Sequence, residues 1–126
     1  MTNRLVEGVT HVQVPVRDVA QATDWYCKHL NCEVIQVHPT NAILRFGTGP
    51  TIFLWQTNDL TAATFTVNGE PFPAIGIETK DMDSLVSLLA SAGVEIHQLP
   101  GDIPGRRFMK FFDPDGNMFV VHQEPS

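Results

Sequence analysis

Cysteine and long apolar runs are scarce in this chain. The first argues against disulfides as a source of stability, and the second argues against a membrane-spanning segment. The only two cysteines, Cys27 and Cys32, form neither a CxxC motif nor part of a Cys/His cluster. We therefore expect reduced structural thiols rather than disulfides or a redox pair. The apolar runs are only strand-sized, which predicts no transmembrane helix. No apolar signal segment follows Met1, so we expect a cytoplasmic protein.

Basic residues are also few. The chain has eight Lys and Arg residues and fourteen Asp and Glu residues, which gives a formal net charge of −6. An acidic surface repels phosphate backbones and anionic lipid, so we expect neither nucleic acid nor membrane as a partner. Motifs of the types GxSxG, GxGxxG and HExxH are missing too, as is a P-loop. What is present is core material: 43% of residues are hydrophobic, which suits a single domain.

One structural pattern occurs twice along the chain. Residues 9–18 and 73–81 both alternate like short strands and both end at an aspartate. Asp18 and Asp81 are each predicted to be the N-cap of a helix, because a carboxylate accepts from the free N–H groups of the first turn. Gly93 is predicted to end the second helix in a left-handed conformation. The predicted buried stripes are Val19, Ala22, Tyr26 and Leu30 in the first helix and Leu85, Leu88, Leu89 and Ala92 in the second.

Three strands are predicted after each helix: 33–37, 42–46 and 51–56 in the first half, and 94–98, 107–112 and 118–123 in the second. The sequence DPDGN at 113–117 is a strong turn signal. We therefore predict an α+β fold of two β-α-β-β-β modules, over about 8–57 and 73–124. A polar linker over about 58–72 joins them and holds a short extra strand at 63–67.

Three segments carry a family resemblance: HVQVPVRD at 11–18 followed by WY at 25–26, IETKDMDSLVSLLASAGVEI at 77–96, and FFDPDGNMFVV at 111–121. In this order, within a duplicated pattern, they make the chain resemble the vicinal-oxygen-chelate superfamily of glyoxalases, bleomycin-resistance proteins and extradiol dioxygenases. The resemblance implies that the mixed sheets of the two modules curl into an open cup that binds ligands. It also makes a homodimer the expected assembly.

Metal-using relatives coordinate a divalent ion with four side chains that point into the cup. The resemblance assigns those positions here to His11, to Phe53 or Leu54 depending on strand register, to Ala74 and to Val120. A divalent ion needs several O, N or S donors, and among these residues only His11 supplies one. We therefore expect no metal cofactor. A reduced site that combines His11 and His122 with an amide from Gln13, Gln56 or Gln123 is the weaker alternative.

The predicted ligand-binding residues are His11, Gln13, Phe53, Trp55, Ala74, Arg107, Met109, Val120 and His122. Apolar walls with a few polar groups are the usual form of a small-molecule site. His11, also the candidate catalytic residue, or Gln13 would orient the ligand. Arg106 or Arg107, after the lid-like stretch PGDIPG, would pair with a carboxylate or phosphate. The plainer interpretation makes His122 a rim histidine and the two arginines a solvated pair.

Three functions remain open from the sequence. The first is a metal-free protein that binds a small, partly aromatic molecule. The second is a metal-dependent lyase, isomerase or dioxygenase with a degenerate site centred on His11. The third is a structural subunit in which the cup has no ligand.

Overall fold

The chain forms two compact units, residues 1–57 and residues 58–126. The computed structural model describes residues 4–99 and 107–123. Two helices and open, mixed sheets place the protein in the α+β class, as predicted. Within the described part of the chain, neither helix has the length and apolar character needed to cross a membrane.

The first module contains β1 (His11–Val16), α1 (Val19–Leu30), β2 (Glu33–Val37), β3 (Asn41–Arg45) and β4 (Thr51–Gln56). Its sheet has the strand order β1-β4-β3-β2, in which β1 and β4 are parallel and the other pairs antiparallel. One face of this sheet carries the fully buried residues and packs against α1. We call it the helix face, and the opposite face the open face of the first module.

The second module contains β7 (Ile75–Glu78), α2 (Met82–Ser91), β8 (Ile96–Gln98), β9 (Arg107–Phe112) and β10 (Met118–Gln123). The strand order β7-β10-β9-β8, with β7 and β10 parallel, repeats that of the first module. Four buried residues of β9 and β10 occupy one face, which we call the helix face: Met109, Phe111, Phe119 and Val121. Met118 is buried too, but on the opposite face. The other is the open face of the second module.

Both helices begin with the same two acceptors. The Asp18 carboxylate accepts from the Gln21 N–H at 3.0 Å, and the Gln56 Oε1 accepts from the Val19 N–H at 3.0 Å. In the second module Asp81 accepts from the Ser84 N–H at 3.0 Å, and Gln123 accepts from the Met82 N–H at 2.8 Å. The two predicted aspartate caps are confirmed. Hydrogen bonds from Ser84 hold the pKa of the Asp81 carboxyl below its usual value.

Two expectations for helical and strand side chains need correction. In α2 the buried residues are Met82 and Leu89, whereas Leu88 is 47% exposed and Ala92 is exposed. Only one of two adjacent leucines can face the sheet, since neighbouring positions on a helix point about 100° apart. The weaker alternative of a reduced metal site allows an amide from Gln56 or Gln123, but the amide oxygens of both residues cap helices instead. Gly93 has φ +76°, as predicted.

The predicted linker is a β-hairpin that belongs to the second unit. It consists of β5 (Thr64–Val67) and β6 (Glu70–Pro73), joined by Asn68 and Gly69, which both have positive φ as a two-residue hairpin turn requires. Thr64 fastens this hairpin to the β9–β10 turn: its hydroxyl donates to the Gly116 carbonyl at 2.7 Å and accepts from the Met118 N–H at 3.0 Å.

Candidate functional site

The open face of the first module holds four of the predicted ligand-binding residues. The register of β1 and β4 places His11 and Gln13 beside Phe53 and Trp55 on this face. The rings of His11 and Phe53 stack, with centroids 4.3 Å apart and planes inclined by 27°. Trp55 Nε1 donates to Gln13 Oε1 at 2.7 Å. The face is thus a row of three rings with one amide held against it.

The register also decides between two residues that the sequence left open. Phe53 is half-buried on the open face, whereas Leu54 is fully buried on the helix face. His11 is exposed, and its Nδ1 shares a 2.9 Å hydrogen bond with the Thr10 hydroxyl. The residue beside His11 at the second metal position is therefore an aromatic hydrocarbon with no donor atom.

On the open face of the second module, small side chains of β7 lie beside Val120. Val120 lies opposite Gly76 and His122 opposite Glu78. Ala74, directly before β7, is exposed, as is Gly76. An added Cβ at Gly76 would be 3.5 Å from Val120 Cγ1, which is ordinary contact, so the glycine leaves a shallow depression beside Val120. His122 lies near the Phe108 ring, with centroids 6.1 Å apart.

Two predicted ligand-binding residues of β9 lie on the helix face instead. Met109 is opposite Val121 and fully buried, and Arg107 is opposite Gln123. The Arg107 guanidinium forms a 3.0 Å ion pair with Asp83 in the first turn of α2. Side chains alternate along a strand, so neither residue shares the face of Val120. The predicted lid and Arg106 lie outside the described residues.

The sequence predicts that Arg107 and Met109 bind the ligand. In the structure, Phe108 and Lys110 lie on the open face in their place. Lys110 is directly opposite Val120 in the register of β9 and β10. Sequence reasoning missed both residues because alternation tells which residues of a strand share a face but not which face that is. The signal that could have found them is the pairing of β9 with β10 across the tight DPDGN turn.

The divalent ion of metal-using relatives has no fitting donor set at the matching positions. Among residues 4–99 and 107–123, no three His, Cys, Asp or Glu side chains are grouped so that they could hold an ion. The positions beyond His11 are filled by Phe53, Ala74 and Val120, which have no O, N or S donors in their side chains. These positions therefore do not fit a divalent ion.

The two cysteines do not offer nucleophilic chemistry either. Both are free; Cys27 is half-buried and Cys32 is buried. Burial raises the pKa of the Cys32 thiol to about 12, and burial together with Asp24 raises the pKa of Cys27. Because the thiolate is the reactive form, neither thiol is activated at neutral pH.

Solved structures of several proteins share this fold. FosX from Listeria monocytogenes, a fosfomycin resistance protein, matches with a TM-score of 0.77 and 20% identity, over 94% of this chain and 94% of that one. TnmS3 from Streptomyces sp. CB03234, described as an antibiotic binding protein, matches with a TM-score of 0.73 and 22% identity, over 97% and 99%. TioX from Micromonospora sp. ML1 has a TM-score of 0.73 and 20% identity, over 94% and 99%.

Sequence comparison gives the family directly. No curated protein matches this sequence as a relative. The sequence model of the Glyoxalase/Bleomycin resistance protein/Dioxygenase superfamily, however, matches residues 8–121, which span both modules. The chain therefore belongs to the Glyoxalase/Bleomycin resistance protein/Dioxygenase superfamily.

Proposed function

We propose that this protein binds a small, partly aromatic molecule against the open face of a module, without the divalent ion of metal-dependent relatives. One observation carries the proposal: three of the four positions assigned to metal ligands hold Phe53, Ala74 and Val120. The fourth, His11, is stacked on Phe53 rather than grouped with other donors. At these positions the open face of each module presents hydrocarbon, which can contact an apolar part of a ligand.

The first module favours a ligand with an aromatic part. Trp55 is 42% exposed although it is one of the largest apolar side chains, and Gln13 holds its indole N–H. Offset or edge-on ring pairs contribute about 0.5–1.5 kcal/mol beyond their buried area. Burial itself contributes about 25 cal/mol per Å² of apolar surface. Gln13 and His11 add polar atoms that would orient the ligand.

The fold neighbours support a small molecule as the partner. TnmS3 is described as an antibiotic binding protein and FosX as a fosfomycin resistance protein. Both share this fold at low identity, so they support a small-molecule ligand in general and do not identify the ligand of this chain. A homodimer and a cytoplasmic location stay predictions.

The second candidate is a metal-dependent lyase, isomerase or dioxygenase centred on His11. The observation in its favour is that His11 stands exposed at the first metal position. It lacks the further donors that such chemistry needs, because Lewis-acid catalysis requires an ion fixed by several ligands. The metal content of the purified protein distinguishes the two candidate functions, because only the enzyme requires a bound ion.

Filling the depression beside Val120 tests the proposal. The neutral aromatic probe 2-naphthamide is titrated into labelled protein, and proton–nitrogen correlation spectra report on Gly76 and Val120. We expect these resonances to shift in the wild-type protein. In Val120→Trp the indole covers Gly76, so the affinity should fall at least about tenfold, a loss of about 1.4 kcal/mol.

Val37→Trp is the matched control. Val37 is also a strand valine, 55% exposed, but it lies opposite Ala42 on the helix-face side of the first module. This variant should bind the probe as the wild type does, and thermal unfolding checks that both variants are folded. Unchanged affinity in folded Val120→Trp, or no binding to the wild type, would contradict the proposed function.

A further inference from the structure

Lys110 is a cation on the open face of the second module. It lies opposite Val120 on β10 and opposite Gln98 on β8. Residues directly opposite each other in antiparallel strands project to the same face. The Lys110 side chain therefore borders the depression formed by Val120, Gly76 and Ala74.

The ammonium of Lys110 is held in place but keeps its hydrogen-bonding capacity. Lys110 Nζ lies 4.5 Å from the centroid of the Phe72 ring on β6, and the residue is half-buried. A ring face attracts a cation electrostatically, yet it does not take up the three N–H donors of an ammonium group as oxygen acceptors would. The hairpin thus positions the charge without neutralising it.

Two cations of the described chain are paired with carboxylates, whereas Lys110 is not. Arg45 pairs with Glu33 and Arg107 with Asp83, each at 3.0 Å. Glu78, the carboxylate on the same open face, lies opposite His122, and no ion pair between Glu78 and Lys110 is present within the described residues. Among the described residues, Lys110 therefore has no carboxylate partner.

We propose that Lys110 determines ligand specificity by binding a carboxylate of the ligand, whose apolar body lies over Val120, Gly76 and Ala74. This inference rests on the proposed function and names its ligand class as flat aromatic acids. Arg106 and Arg107 were the sequence-based candidates for this role; Arg107 is engaged by Asp83 on the helix face. Lys110 supplies the charge on the open face instead.

A pair of probes that differ in charge tests the assignment. Affinities for 2-naphthoate and for the neutral 2-naphthamide are measured by titration of the wild-type protein. We expect the carboxylate to bind about tenfold more tightly, since hydrogen bonds between charged groups are stronger than neutral ones. Lys110→Met, which keeps the aliphatic stem, should abolish this preference, and Lys110→Arg should retain it.

Lys28→Met, which removes an exposed charge from α1, is the matched control and should leave the preference unchanged. Equal affinity of the two probes for the wild type would overturn the role of Lys110 while leaving the proposed function standing. A folded Lys110→Met variant that still prefers the carboxylate would also overturn the role of Lys110 and leave the proposed function standing. Absence of binding by both probes would overturn the proposed function and this inference together.

Discussion

At the scale of single residues, the two open faces differ in what they present. The first module offers rings, with His11 stacked on Phe53 and Trp55 tied to Gln13. The second offers small side chains beside Val120. The two faces therefore present different surfaces to a ligand, and each can be probed by its own signal.

Trp55 provides such a signal for the first module. The chain has two tryptophans, and Trp25 on α1 is engaged with Tyr26, at 5.2 Å between ring centroids. In protein labelled with fluorotryptophan, we expect 2-naphthamide to shift the fluorine resonance of Trp55 and not that of Trp25. Trp25→Phe and Trp55→Phe assign the two resonances. A shift of Trp25 alone would place the ligand away from the open face.

At the scale of elements, the hairpin of β5 and β6 shows how a segment that looks like a linker becomes part of a module. The ring of Phe72 in this hairpin makes a cation–π contact with the Lys110 ammonium. Thr64 and the Asn117 side chain fasten the hairpin to the β9–β10 turn, since Asn117 Oδ1 accepts from the Ala63 N–H at 2.6 Å. The hairpin is therefore a structural element of the second module rather than a spacer.

Removing the Thr64 hydroxyl should destabilise the second module. Thr64→Val keeps the shape but leaves the Gly116 carbonyl and the Met118 N–H without their partner. An unsatisfied buried polar group costs about 1–3 kcal/mol. These two bonds are part-buried, so we expect a loss near the lower end of that range, measured by urea denaturation as a lower free energy of unfolding. Thr66→Val, at an exposed position of the same strand, should change stability little. Equal effects of the two substitutions would show that the hydroxyl does not anchor the hairpin.

At the scale of the whole molecule, the duplicated plan is retained while the chemistry of its metal positions is not. Both modules have the same strand order, an aspartate cap and a glutamine from the last strand at the start of the helix. These features serve folding, so they persist in each half. The ligand positions serve chemistry, and here they hold Phe53, Ala74 and Val120 beside His11.

The purified protein should therefore contain far less than one equivalent of Zn, Ni, Mn or Fe per chain, as measured by elemental analysis. A single imidazole with hydrocarbon neighbours binds such ions weakly, because stable sites need three or more protein donors. His11→Ala serves as the comparison and should leave the metal content unchanged. A stoichiometric ion in the wild type that is lost in His11→Ala would favour the metal-dependent enzyme.

Local chemistry made most of the fold predictable. Period-two alternation, the caps Asp18 and Asp81, Gly93 and the DPDGN turn each act over a few neighbouring residues, so they can be identified without knowing the rest of the structure. The exposed Leu88 and the hairpin anchored by Thr64 escaped prediction because they depend on which surface a helix or segment meets.

The sequence by itself determined the two-module α+β plan, the family and the scarcity of metal donors, since these follow from residue identity and short-range pattern. Only the tertiary structure decided that Phe53 rather than Leu54, and Lys110 rather than Met109, lies on an open face. The reason is physical: moving a strand by one residue exchanges its two faces, and the register is set by the partner strand.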